Sequence, residues 1–248
     1  MLLNFLASRK KRHALPDGVR IYAIGDVHGR VDLLDQVFSR IDAHLLAHPV
    51  ARPLQILVGD YIDRGPASRE VLDRLIDRSK SHEMVFLKGN HESFIFEFLR
   101  HPATLREWSM MGGRETLMSY GLKPPLNADA ATQTELSIAM RAALPKSHRM
   151  FLESLQSSFT CGGFFFAHAG VKPRVPLTKQ REEDLLWIRD DFLLYEEDFG
   201  KIVVHGHTPV REVDIRPNRI NIDTGAYATG LLSCVVIEGS NIEPLELC

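Results

Sequence analysis

No stretch of the 248 residues holds the roughly 20 consecutive apolar side chains needed to cross a bilayer, so a soluble protein is expected. Cysteine is scarce. Cys161, Cys234 and Cys248 form an odd set without metal-type spacing, which argues against a disulfide framework and against a thiolate zinc cluster. A reducing cytoplasm is the expected compartment. Charge of one sign is also missing: 30 Lys plus Arg face 32 Asp plus Glu, and the formal charge of -2 supplies no global field for nucleic acid or an anionic membrane. Neither is expected as a partner, and recognition of phosphate must be local. A secretory leader is not expected either, because the apolar start precedes the basic run Arg9-Lys10-Lys11-Arg12 and is too short. That basic run lacks the interleaved aromatics of a single-strand binder and reads as a solvated tail. Residues 1–18 are expected to be a loose arm on a single domain spanning 1–248.

What is present is alternation. Val19 to Ile24 is strand-like and stops at Gly25, and Leu33, Leu34, Val37, Phe38, Ile41, Leu45 and Leu46 recur at helical spacing over 31–48. Leu54 to Val58 predicts a second strand, and Val71, Leu72, Leu75 and Ile76 a helix behind Pro66. A third strand runs from Met84 to Leu87. Such units imply a sheet layered by helices, with the loops after the strands gathered along one edge. Residues 94–159 break the pattern and read as a mostly helical insertion, with turn signals at Gly112-Gly113, Gly121 and Pro124-Pro125. Beyond it, 163–167, 201–204, 219–222 and 231–237 are short strands rich in Val, Ile and Phe.

The strand ends carry polar clusters: Gly25-Asp26-Val27-His28-Gly29, Gly59-Asp60-Tyr61-Ile62-Asp63-Arg64-Gly65, Gly89-Asn90-His91-Glu92, His168-Ala169-Gly170 and His205-Gly206-His207-Thr208. Singly, each is ordinary turn chemistry or a solvated histidine. Five in succession, each closing an apolar strand, require one explanation. Carboxylate, imidazole and amide oxygen together make a ligand set suited to divalent manganese, iron or zinc.

The series GDVHGR, GDYIDRG, GNHE, HAG, GHT resembles the calcineurin-like metallophosphoesterases, and the Gly59 to Gly65 heptad with Gly89 to Glu92 resembles their serine/threonine protein phosphatase branch of bacterial and phage type. The likeness runs from about Tyr22 to Val236; within the insertion it is looser, through Trp108, Gly112-Gly113, Thr116 and Tyr120-Gly121. It implies an α/β fold, a sandwich of two mixed sheets flanked by helices. It implies two divalent metals, manganese foremost with iron or zinc as options, one held by Asp26, His28 and Asp60 and the other by Asp60, Asn90, His168 and His207. Asp60 would then bridge, and a shared water would be activated to attack phosphorus. The same resemblance makes His91 the acid that protonates the leaving oxygen, Asp63 its orienting carboxylate, and Arg64 and Arg189 the forks that grip phosphate oxygens. For Arg189 the competing expectation is an ion pair with Asp190 or Asp191, and for Asp63 a simple turn cap. His205 reads as a supporting or structural residue, Tyr227 as a residue bordering the cleft or packing beneath it, and the remaining histidines as surface residues.

Hydrolysis of phosphoserine and phosphothreonine, with phosphotyrosine a further option, on a phosphoprotein or phosphopeptide is the expected activity. Symmetrical hydrolysis of diadenosine tetraphosphate is the alternative, and a non-catalytic metal-binding scaffold a third reading. The run Tyr61 to Arg64 and Glu92 favour the first, and the intact ligand positions disfavour the third.

Overall fold

A computed structural model describes residues 13–246. Six residues of alternating environment form the first strand, β1 (Val19–Ile24): Ile21 and Ala23 face one apolar layer, Tyr22 and Ile24 another. Parallel strands β2 (Arg52–Leu57) and β3 (Met84–Phe86) follow on one side, joined through helices α1 (Val31–Ala47) and α2 (Ser68–Arg78). Leu33, Leu34, Val37, Phe38 and Ile41 bury the sheet-facing stripe of α1, as their three-to-four spacing requires.

The helical insertion comprises α3 (Asn90–Arg100), α4 (Leu105–Met110), α5 (Gly113–Ser119), α6 (Ala130–Ala143) and α7 (Lys146–Glu153). Helix begins at Asn90, four residues before the expected 94. The cause is local: the Glu92 carboxylate accepts the Gly89 amide at 2.8 Å, closing the first turn. At the other end the helices stop at Glu153, and Phe159 lies instead in strand β4 (Ser158–Cys161), antiparallel to β5 (Phe164–Ala167).

Helices α8 (Glu182–Trp187) and α9 (Asp190–Leu193) precede β6 (Ile202–His205), β7 (Asp214–Ile215) and β8 (Arg219–Asn221); helix α10 (Ala226–Thr229), β9 (Cys234–Glu238) and β10 (Asn241–Pro244) complete the chain. Two mixed five-stranded sheets result, ordered β10-β9-β1-β2-β3 and β4-β5-β6-β8-β7. Their inner faces meet through Ile21, Ala23, Ile56 and Val58 from one and Phe164, Phe166, Val204 and Ile220 from the other. Each such large side chain contributes roughly 1.5–3 kcal/mol by leaving water. The helices cover the outer faces: Tyr22, Ile24 and Leu57 turn toward α1 to α7, while Phe165 and Val203 turn toward Leu185 and Phe192.

The residues 1–12 of the expected arm, with their basic run, lie outside the described residues, as does Cys248. From His13 onward the chain is packed, not loose. The Leu15 amide donates to the Gly239 carbonyl at 2.8 Å, the Gly163 amide to Ala14 at 2.8 Å, and Leu15 is buried between the sheets. The expectation that histidines outside the motifs sit at the surface also fails at His148. Fully buried, it receives the Tyr120 hydroxyl at Nδ1 (2.7 Å) and donates from Nε2 to Asp73 (2.8 Å), tying α7 to α2. His148→Ala should lower unfolding free energy by about 2–4 kcal/mol through a cavity and an unpartnered tyrosine hydroxyl. An unchanged urea midpoint would contradict this.

Among the described residues no helix is long and apolar enough to cross a membrane.

Candidate metal centre and active site

Because β1, β2, β3, β5, β6 and β8 point the same way within their sheets, the loops at their C-terminal ends line one edge of the sandwich. That edge collects the residues singled out above. Among the described residues six non-glycine residues have positive φ, and five of them, His28, Asp60, Asp63, Arg64 and His207, belong to these loops. Strain of this kind persists only where surrounding contacts over-determine it, and here it is concentrated on the polar clusters. Close approach also dictates glycine at two positions: a Cβ at Gly206 would lie 2.0 Å from Asp26 Oδ1, and one at Gly89 would lie 2.1 Å from Asp60 Oδ1.

Asp60 lies at the centre. Its Oδ2 faces His28 Nε2 at 3.5 Å and His91 Nε2 at 3.8 Å, while its Oδ1 faces His168 Nε2 at 3.4 Å. One carboxylate thus addresses two separate donor groups, His28-Asp60-His91 and Asp60-His168-His207, each compact enough to hold an ion. In the second group Asn90 Oδ1 is 2.9 Å from both His168 Nε2 and His207 Nδ1, which are 3.2 Å from each other. Ligands about 2.0–2.2 Å from one ion at right to tetrahedral angles stand roughly 2.9–3.5 Å apart, matching these separations.

The proton inventory leads to the same point. His28 Nδ1 donates to the Ile62 carbonyl and His168 Nδ1 to the Val58 carbonyl, both at 2.9 Å, so each Nε2 turns a lone pair inward. Burial drives the pKa of His28 down to about 3 and that of His207 to about 2, and lowers His168 as well. Neutral imidazoles therefore aim lone pairs at Asp60 and Asn90 oxygens with no proton between. Burial tends to raise the Asp60 pKa, but the surrounding imidazoles outweigh it and hold the group well below the usual carboxylate range. Burial, then Asp223 and Asp60, pushes Asp26 well above its ordinary value, and burial with the Asp60 charge takes Asp223 up to about 6. Asp26 Oδ1 is buried without a hydrogen-bond partner. Converging lone pairs, crowded carboxylates and an orphaned carboxylate oxygen form a cavity that divalent cations fit. Asp26 stands outside both compact groups; its Oδ2 accepts the His207 amide at 3.0 Å and so ties the two sheets together.

Beside this centre, His91 Nδ1 donates to Asp63 Oδ2 at 2.7 Å and turns Nε2 toward Arg64, 3.2 Å from Nη2. Asp63 is therefore more than a turn cap. Its carboxylate also accepts Trp108 Nε1 at 2.9 Å and the Thr116 hydroxyl at 2.6 Å. Burial alone would depress the His91 pKa, yet the Asp60 charge and the Asp63 bond prevail and leave it raised. Arg64 lies over the Tyr227 ring, 4.7 Å from its centroid, and that ring stands 5.5 Å from His28, so Tyr227 borders the cleft. Arg189 donates to the Thr208 hydroxyl at 3.2 Å, next to His207, and no ion pair with Asp190 or Asp191 forms among the described residues. His205 packs on Phe192 and bonds Gly206, apart from the donor groups.

Glu92 has a role that no local signal discloses. Its carboxylate receives the amides of Asp60 (3.0 Å), Tyr61 (2.8 Å), Ile62 (3.4 Å) and Gly89 (2.8 Å), fastening the second motif to the third. Burial nevertheless pushes its pKa up to about 7.

A family model described as calcineurin-like phosphoesterase matches residues 19–230, which includes every residue of this centre. The chain belongs to that family. Membership makes it a phosphoesterase hydrolase, and with the two donor groups it supports divalent metal ions at the centre. Relatives named bis(5'-nucleosyl)-tetraphosphatase PrpE (asymmetrical) align over most of the chain. The one from Anoxybacillus flavithermus is 26% identical over 86% of this chain and 88% of its own. That from Halalkalibacterium halodurans is 28% identical over 86% and 87%. Among solved structures, a protein provisionally named a diadenosine tetraphosphatase superposes with a TM-score of 0.61 at 19% identity, covering 92% of this chain and 97% of that one. A cold-active protein tyrosine phosphatase from a psychrophilic Shewanella reaches 0.53 at 13% identity over 96% and 84%. At those identities the two structures share the fold with this chain.

Proposed function

We propose that the chain hydrolyses bis(5'-nucleosyl) tetraphosphates such as diadenosine tetraphosphate. The observation that carries this reading is the near full-length similarity to the asymmetrical bis(5'-nucleosyl)-tetraphosphatases. It favours the alternative reading over the expected phosphoprotein phosphatase, with an asymmetrical split into ATP and AMP in place of the symmetrical one of that alternative.

In this proposal Asp26, His28 and Asp60 hold one divalent ion and Asp60, Asn90, His168 and His207 the other, manganese being the foremost candidate. Such ions, when bound, neutralise phosphate charge and lower the pKa of the attacking water. Arg64 and Arg189 grip the non-bridging oxygens, because a planar guanidinium meets two oxygens at once. His91 donates a proton to the leaving oxygen, held in line by Asp63, which Trp108 and Thr116 fix in turn.

A phosphoserine or phosphothreonine protein remains the second reading, favoured by the heptad Gly59 to Gly65 and by Glu92, which anchors it. The test is manganese-supported turnover of diadenosine tetraphosphate beside a phosphothreonine peptide, with nucleotides separated by chromatography. Dinucleotide kcat/KM exceeding the peptide value, with ATP and AMP as products, is expected. A dominant peptide rate would overturn the proposal in favour of the second reading.

A further inference from the structure

Two half-exposed aromatic rings border the centre, and one of them, Trp187, lines a cavity. Tyr227, 40% exposed, has the Arg64 guanidinium against its face. Trp187, 42% exposed, stands on the opposite donor group, its ring centroid 6.1 Å from that of His207. Its neighbours His207 and Phe94 meet it at interplanar angles of 82° and 79°, so neither stacks parallel to the indole. Next to it lies a cavity of about 390 Å³ lined by Lys88, Phe94, Phe96, Glu97, Arg100 and Trp187. Phe94 continues the aromatic wall to His91, at 6.5 Å. Both its cations are paired, Lys88 with Glu182 at 2.6 Å and Arg100 with Glu97 at 2.9 Å, and the carboxylate of Glu107 also lines it. A cavity with one open indole, two phenyl rings, paired cations and a further carboxylate suits a flat, uncharged group better than a phosphate.

We infer that Trp187 is a stacking shelf for the purine base of the nucleotide whose phosphate reaches the metal centre. The inference rests on the dinucleoside tetraphosphate reading and deepens it. Trp187 ends α8, two residues before Arg189, so one short segment meets both the base and the phosphate of the same nucleotide. With the shelf one ring away from His207, little more than the ribose separates base from ions. The phosphorus presented for attack is then the one nearest that nucleoside, and the tetraphosphate parts asymmetrically.

Trp187 is also a reporter, because the only other tryptophan, Trp108, is fully buried. AMP added to the manganese-loaded protein is expected to quench its indole fluorescence, and inorganic phosphate at equal saturation is not. Base stacking on an aromatic side chain contributes roughly 1–3 kcal/mol, so Trp187→Ala should lower kcat/KM on diadenosine tetraphosphate about tenfold more than on glycerol 2-phosphate, which has no base. Trp187→Phe, which keeps an aromatic face, should recover most of that difference. Equal losses on both substrates, or quenching by phosphate as strong as by AMP, would overturn the shelf. A wild-type protein that hydrolyses glycerol 2-phosphate but not the dinucleotide would overturn the substrate reading alone, with AMP quenching still deciding the shelf.

Discussion

Asp60→Asn is expected to lower kcat/KM by at least about 100-fold and to strip the protein of manganese on dialysis. Altering groups that merely support metal ligands costs about 10- to 100-fold in affinity or activity, and Asp60 addresses both donor groups directly. Stability should fall as well before metal is added. The imidazoles around buried Asp60 hold its pKa well below the usual carboxylate range, so its charge contributes stability at neutral pH. Asp60→Asn loses that contribution, so the metal-free variant should melt below metal-free wild type. On addition of manganese the wild-type Tm should rise with concentration, since an ion that binds only the folded state stabilises it by mass action. The variant should show little or no rise. Wild-type activity and metal content in Asp60→Asn would end the two-ion reading.

His91→Asn should separate the two candidate substrates. General acid catalysis contributes about 10²- to 10⁴-fold, and that help matters most when the leaving oxygen is a basic alkoxide. A phosphoserine peptide releases such an alkoxide. A dinucleoside tetraphosphate releases a nucleotide whose terminal phosphate is already a stable anion. The substitution is therefore expected to slow peptide hydrolysis by two orders of magnitude or more and dinucleotide hydrolysis far less, with metal content retained. Loss of manganese from His91→Asn would instead make His91 a ligand beside His28 and Asp60, whose donor atoms lie with its own inside 4.8 Å.

Much of the fold could be read from local pattern. The span of β1 follows from strict alternation between two apolar layers, and the start of α1 from its spaced leucines. The short edge strands β4, β7 and β10 could not be read, since they lack a buried face of their own and exist by pairing with β5, β8 and β9. At the site, Asp63 and His91 were legible as motif members. Trp108 and Thr116, which hold Asp63 in place, lie 45 and 53 residues further along inside the insertion. Asp223 was likewise invisible as a member of the carboxylate cluster, because an Asp-Thr-Gly after a strand is common turn chemistry. His148 carried no periodic signal that distinguished a buried bridge from a surface side chain.

The identity and chain order of the polar clusters were determined by sequence alone. Each rides on the loop that directly follows an apolar strand, and that placement depends only on where hydrophobic alternation stops. Which oxygen of Asp60 faces which imidazole, which ring nitrogen each histidine turns inward, and which aromatic ring stands open beside the centre were decided by the tertiary structure. Those features arise where the edges of two sheets meet, through contacts such as His168 to Val58 and His207 to Asp26 that join residues more than 100 positions apart.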